Sequence, residues 1–255
     1  MRKRFVLAFA LLALLAASAG CSSVFGPGDI SQQQLNKSAT YDWKTSEDVT
    51  YNVTSGQYQA VYNLDKKDTL EIHQEESFGE EAPVEISGVQ FQYPNGTVVG
   101  ADQISVHKTK SSTIIRPPKG PGKLAYTVSR QGKTFYVPTY LEDRTYEVTI
   151  PRGMRVDTFL LSDVRPGSYE TSMQDGREHI VWSQPVKSDS ISVRYYLVRD
   201  KWIFAGIVAL ALLVGLAGLA YYRYQIRQLE REREEMGLNM DISDDDMGDG
   251  PPPGM

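Results

Sequence analysis

The sequence predicts a mainly β protein: an antiparallel β-sandwich of two Ig-like units outside a membrane, followed by one C-terminal transmembrane α-helix. Three observations predict it. Between Tyr41 and Asp200, short stretches rich in Val, Ile, Thr and Tyr alternate apolar with polar residues, the period of strands with one buried face. Residues 202–222 run without a charge, about 31 Å of helix against a hydrocarbon core of about 30 Å. The N-terminus has the three-part build of an export signal.

Arg2, Lys3 and Arg4 open the chain, residues 5–17 form an apolar run, and Ser18, Ala19 and Gly20 are small. Cys21 follows, the only cysteine in 255 residues. Small residues directly before a cysteine resemble the lipobox of prokaryotic lipoproteins, in which the thiol takes a lipid and cleavage occurs before it; Ser18 stands where Leu is usual. Residues 1–20 are therefore read as a signal peptide and Cys21 as a lipid attachment point. The alternative is an uncleaved signal anchor. A lone cysteine excludes internal disulfides and zinc sites needing two thiolates.

Residues 21–40 are polar with Gly and Pro and read as a flexible tether, about 25 Å end to end as a random coil. The β region follows. Asn95–Gly96 and Asp175–Gly176 fit type I′ hairpin turns, where both residues adopt positive φ, and Gln131–Gly132 is a third candidate. "RPPKGPGK" (116–123) and "VPTYLED" (137–143) are the strongest breaks in composition. The division is placed near residue 140, giving a sandwich unit over 41–140 and an Ig-like unit over 141–200 with Trp182 as its core aromatic. "SISVRYYLVRD" then runs almost directly into Trp202, which predicts a domain held low on the membrane.

Trp202 and Tyr221–Tyr222 suit the two interfaces of a span over 201–222. Arg223, Arg227, Arg231 and Arg233 follow it, against Arg194, Arg199 and Lys201 before it, which places the C-terminus inside. Three N-glycosylation sequons, at Asn36, Asn52 and Asn95, fall on the outer side. Ala211, Gly215 and Gly218 lie near one helix face that a second helix can approach. Residues 223–238 continue the helix, with Ile226, Leu229 and Met236 on one stripe, and residues 239–255 form an acidic, disordered tail.

The chemistry-bearing patterns are sparse. A net charge of −5 offers no electrostatic case for nucleic acid. Glu71, His73 and Glu75 share one face of a strand, a metal cluster on one reading and a solvated face on the other. His107 and His179 lie far away in sequence. "GPGK" lacks the spacing and the hydroxyl of a phosphate loop. "DISDDDMGDG" lacks the glycine placement and final Glu of a calcium loop. No Gly-x-Ser-x-Gly elbow occurs. No catalytic residue, cofactor or metal is predicted.

"SGVQFQYPNGTVVGADQISV", "GKLAYTVSRQGKTFYVPTYLEDRTYEVTIPRGMRVDTFLLSDVRPG", "SISVRYYLVRDKWIFAGI" and the terminal "PPPGM" together resemble an uncharacterised family of haloarchaeal membrane proteins. The likeness runs from about residue 40 onward. It implies a lipobox-type N-terminus, a β-rich outer segment, one late transmembrane helix and an acidic tail, and it carries no activity. The expectation is a non-enzymatic cell-surface protein that binds or scaffolds in the envelope, its partners being the bilayer and a protein reached through the helix or inner tail. An envelope hydrolase and a sensor or assembly subunit are the alternatives.

Overall fold

The computed structural model describes residues 30–64, 69–76, 79–235 and 237. The signal peptide, Cys21, Met236 and the acidic tail 239–255 lie outside the described residues. The chain forms a β unit ending at Val198 and a helical unit beginning at Arg199.

The β unit opens with a one-turn helix, α1 (Gln32–Leu35). Its first strands are β1 (Val49–Val53), β2 (Gln57–Leu64), β3 (Leu70–Glu75), β4 (Glu81–Pro83), β5 (Ile86–Gln92) and β6 (Val98–Gly100). Next come β7 (Ser105–Lys108), β8 (Thr113–Arg116), β9 (Gly122–Ser129), β10 (Thr134–Pro138) and β11 (Arg144–Thr149). The last are β12 (Met154–Arg155), β13 (Asp163–Arg165), β14 (Glu170–Gln174), β15 (Arg177–Val186), β16 (Ser190–Arg194) and β17 (Tyr196–Leu197).

Eight strands make the largest sheet, in the order β14-β15-β11-β1-β2-β9-β5-β6. Every pair in it is antiparallel except β1 with β11, which run parallel with Val49 beside Tyr146. Smaller sheets of order β4-β3-β8-β7 and β10-β16-β13 contribute to the same core. Phe135 of β10 meets the rings of Tyr51 and Tyr58 at 5.1 and 5.3 Å between centroids.

The mainly β class is as expected, but the division near residue 140 is not there. β1, from the expected first unit, and β11, from the second, are neighbours inside one sheet, and one apolar cluster includes residues of both halves. The long connection that a parallel pair requires is supplied here by the strands between them. Gln131–Gly132 is not a hairpin turn, because β10 pairs with β16 and not with β9. Asp175 and Gly176 have φ of 50° and 74°, as a type I′ turn demands. At the other pair only Gly96 has positive φ, and its N–H donates to Tyr93 O.

Residues 30–40 are docked, which corrects the tether reading for that stretch. Ser31 caps α1 through its hydroxyl, and Leu35 is buried in the main core. Farther on, Tyr41 packs with Val61 and Ala125 on the outer face of the large sheet and donates its hydroxyl proton to Gly88 O at 2.7 Å. Burying such side chains is worth about 1.5–3 kcal/mol each, enough to help offset ordering the chain between them. In the main core, Tyr51, Tyr62, Tyr126 and Tyr146 are fully buried. A buried phenol needs a hydrogen-bond partner, and these find one another or a carbonyl. Tyr62 Oη lies 2.6 Å from Tyr51 Oη and accepts from Tyr126 at 3.2 Å. Tyr146 donates to Leu141 O.

The helical unit is one long helix, α2 (Val198–Glu235), which begins directly after β17. Its 38 residues reach roughly 57 Å, well beyond what a bilayer core needs, so it continues past Tyr222 as expected. None of its apolar stretch is buried against protein. Nothing lies within 4 Å of where a Cβ would stand on Gly215 or Gly218.

Candidate functional site

The strand order brings three polar strand faces together. Asn52 of β1 lies beside Thr149 of β11, and Thr149 lies opposite His179 of β15. These side chains sit on the outer face, because their neighbours Tyr51, Val148 and Ile180 point into the core. Residues 42, 44, 45 and 46 border this row and complete an open cleft of about 280 Å³.

At its centre Glu147 Oε1 stands 2.6 Å from Nδ1 of His179. Both side chains are largely buried, at 12 % and 16 % exposure. A carboxylate only accepts, so Nδ1 carries a proton, a tautomer assigned from the bonding pattern. Thr149 Oγ1 lies 3.2 Å from the same nitrogen, and Ser46 donates to Glu147 Oε2 at 3.5 Å. Next to this pair, Arg177 follows the Asp175–Gly176 turn and reaches its guanidinium across the C-terminal ends of β11 and β1. It donates to Asn52 Oδ1 and Val53 O at 2.7 Å each, and to Ile150 O at 2.9 Å. Burial, with Arg152 nearby, pushes its pKa down. Thr50, paired with Glu147 in register, lines the cleft too. Its Oγ1 is buried with no partner among the described residues, so it is a donor and acceptor still to be satisfied.

A carboxylate holding an imidazole is half of a general-base device. The other half is a hydroxyl on the ring nitrogen opposite the carboxylate. Here Thr149 sits on the carboxylate's own side of the ring, and Ser46 sits on the carboxylate itself. The arrangement lines the cleft with donors and acceptors and places neither hydroxyl on the ring nitrogen opposite the carboxylate.

A second concavity, of about 530 Å³, takes in His73 and Glu75 with Glu81, Asp143 and Asp189. His73 Nε2 lies 3.7 Å from Glu81 Oε1. Of the strand-face trio expected from the sequence, Glu71 instead accepts from Ser112 Oγ at 2.6 Å. No group of three or more His, Cys, Asp or Glu among the described residues can hold a metal ion. His73, His107 and His179 stand on β3, β7 and β15 and form no common cluster.

The sequons differ in availability. Asn95 is exposed at the β5–β6 turn, its Oδ1 accepting from Thr97 N. Asn36 donates to Asp102 Oδ1 at 2.9 Å, and Asn52 is held by Arg177. Sequence reasoning did not single out Glu147, Arg177, Thr50 or Ser46. Each is an ordinary outward residue of its segment, and only the β1–β11 pairing makes them neighbours.

A family model described as a family of unknown function (DUF5803) matches residues 45–241. No curated protein and no solved structure matches the chain.

Proposed function

The chain belongs to the DUF5803 family, whose function is unknown, and we propose that it is a membrane-anchored, non-enzymatic binding or scaffolding protein of the cell envelope. The observation that carries this reading is α2. Its apolar stretch has no protein cover, and the strand-built unit precedes it without a linker. An apolar surface of that length is stable in a bilayer and not in water. In this reading the β unit faces outward, the arginines after Tyr222 stay inside, and a lipid on Cys21 adds a second attachment. The cleft around Glu147 and His179 is the binding surface. Its mix of charged, amide and hydroxyl groups suits a polar ligand such as a glycan or an extended peptide.

Extraction of membranes at alkaline pH tests the anchoring. With Cys21→Ser in place to remove the lipid attachment, the full chain is expected to stay in the pellet, and a further Leu212→Arg/Leu213→Arg variant to be released. Release of the wild-type chain overturns the reading. Cross-linking in native membranes tests the binding surface: Glu147→Lys is expected to lose a partner that wild type retains, and an identical pattern removes the cleft from consideration.

A further inference from the structure

Among the described residues of the β unit, Phe159 and Leu160 are the most exposed large apolar ones, at 84 % and 58 %. They are adjacent, at the tip of one turn, and the turn is braced. Leu161 and Ser162 N–H both donate to Thr158 O at 2.9 Å. Ser162, itself buried, donates its hydroxyl to Val156 O and Thr158 O at 2.8 Å each. At the turn's other end Tyr196 donates to Asp157, and its hydroxyl lies 2.9 Å from Thr158 Oγ1. The backbone adds β12 paired with β17, Arg155 opposite Tyr196, and Val198 N–H donating to Gly153 O.

An apolar tip held this firmly keeps its place relative to Tyr196, and the chain bounds how far Tyr196 can lie from the start of the span. Tyr196 stands six residues before Trp202, where the uncharged stretch begins. Six residues reach at most about 20 Å even when fully extended, however the two units are arranged. The charges around the tip balance, Asp157, Asp163 and Glu178 against Arg155, Arg165 and Arg194, which stands opposite Asp163, and Arg165 Nε pairs with Asp163 Oδ2 at 3.0 Å. The turn therefore offers anionic headgroups no net charge, and apolar burial is the driving force.

We infer that the turn carrying Phe159 and Leu160 is a second membrane contact, dipping into the interfacial region of the bilayer that α2 spans. The inference rests on the anchoring reading above. Its occupant is the lipid surface itself: an aromatic and an aliphatic side chain bury into the headgroup–acyl boundary as those of interfacial helices do. The consequence is mechanical. A domain joined to its helix at one point can pivot, whereas a second contact sets its tilt and hence which way the Glu147–His179 cleft faces.

The test uses full-length protein carrying Cys21→Ser in phosphatidylcholine vesicles, with single cysteines labelled by an environment-sensitive fluorophore. Leu160→Cys reports the turn, Asn95→Cys a distant exposed turn, and Leu216→Cys the span. Lipids bearing a nitroxide near the headgroup or along the chain are the quenchers. The expected result is strong quenching at 216 and quenching at 160 about twofold or more above that at 95, since an interfacial side chain sits roughly 5–10 Å deep. High salt should leave it unchanged. Quenching at 216 with none at 160 overturns this inference alone. Equal quenching at 160 and 95 overturns it as well, because no privileged contact then exists. Absence of quenching at 216 overturns the anchoring reading, and this inference with it.

Discussion

The carboxylate of Glu147 lies 2.6 Å from Nδ1 of His179, across the β11–β15 pair at the centre of the polar cleft. With both side chains mostly shielded, the bond is worth more than an exposed ion pair, and removing one partner leaves the other half-desolvated. Glu147→Gln and His179→Ala should each cost about 1–2 kcal/mol of stability. A double-mutant cycle by urea unfolding should recover a coupling of about 1 kcal/mol. Additive single effects would show that the two residues sit near each other without acting together.

Tyr62 is the shared member of the buried tyrosine trio. Tyr51→Phe removes one hydroxyl and leaves Tyr62 still bonded to Tyr126. Tyr62→Phe leaves the hydroxyls of both Tyr51 and Tyr126 without that partner. An unsatisfied buried hydroxyl costs about 1–3 kcal/mol, so Tyr62→Phe should be the more destabilising by at least one such increment. Equal losses for the two variants contradict the central position of Tyr62.

These phenols also set an alkaline limit. Burial pushes Tyr41 and Tyr146 up to about 12 from 10.0, and holds Tyr51, Tyr62 and Tyr126 well above that starting value. The sign follows from linkage. Below pH 10 the phenols are protonated in both states and their contribution is complete. Above it the unfolded chain ionises first, so stability falls as pH rises toward the folded values. The urea midpoint should be flat to about pH 10 and then drop. The tyrosinate absorbance of these five buried phenols, over and above that of exposed tyrosines such as Tyr221, Tyr222 and Tyr224, should rise together with loss of β-sheet circular dichroism. Ionisation of all fifteen tyrosines in a protein that keeps its sheet signal would contradict the buried assignment.

Much of this architecture is legible in the sequence because it is local. The period-two strands, the uncharged span and the Asp175–Gly176 turn each follow from neighbours along the chain. What is not legible is pairing across distance. Nothing in "DVTYNVT" or "TYEVTIP" announces that β1 and β11 lie side by side, and the cleft exists only through that pairing. Leu35 shows the opposite failure: the polar, Gly- and Pro-containing segment 21–40 reads as a tether on average composition, while one apolar side chain in it, with Tyr41 just beyond, decides that residues 30–40 dock. Trp182 is legible as core, because an indole of that size has few other places to go. It is buried against Tyr169 and donates to Pro166 O.

Of the three sequons, only Asn95 presents an uncommitted amide nitrogen at an exposed turn. In a host that glycosylates surface proteins, Asn95→Gln should abolish the glycan-dependent gel shift, and Asn36→Gln should leave it intact. A shift that survives Asn95→Gln would move the modification to Asn36 or Asn52, and modification at Asn52 would require it to precede the Arg177 contact.

Leu35 separates a docked segment from a tether most sharply. Its side chain is 2 % exposed although it belongs to a helix of only four residues. So short a helix has no stability of its own, and its position must come from packing. Gln34 Nε2 donating to Ile86 O and Asn36 donating to Asp102 fasten its C-terminal end. Leu35→Ala should therefore cost about 2–4 kcal/mol, as for an aliphatic side chain removed from a core. It should also open residues 30–40 to protease. Cys21→Ser, at the far end of the same stretch, should leave the unfolding midpoint unchanged. If Leu35→Ala is as silent as a surface substitution, the segment is a tether after all, and the outer-face cluster around Tyr41 alone would have to hold the chain against the sheet.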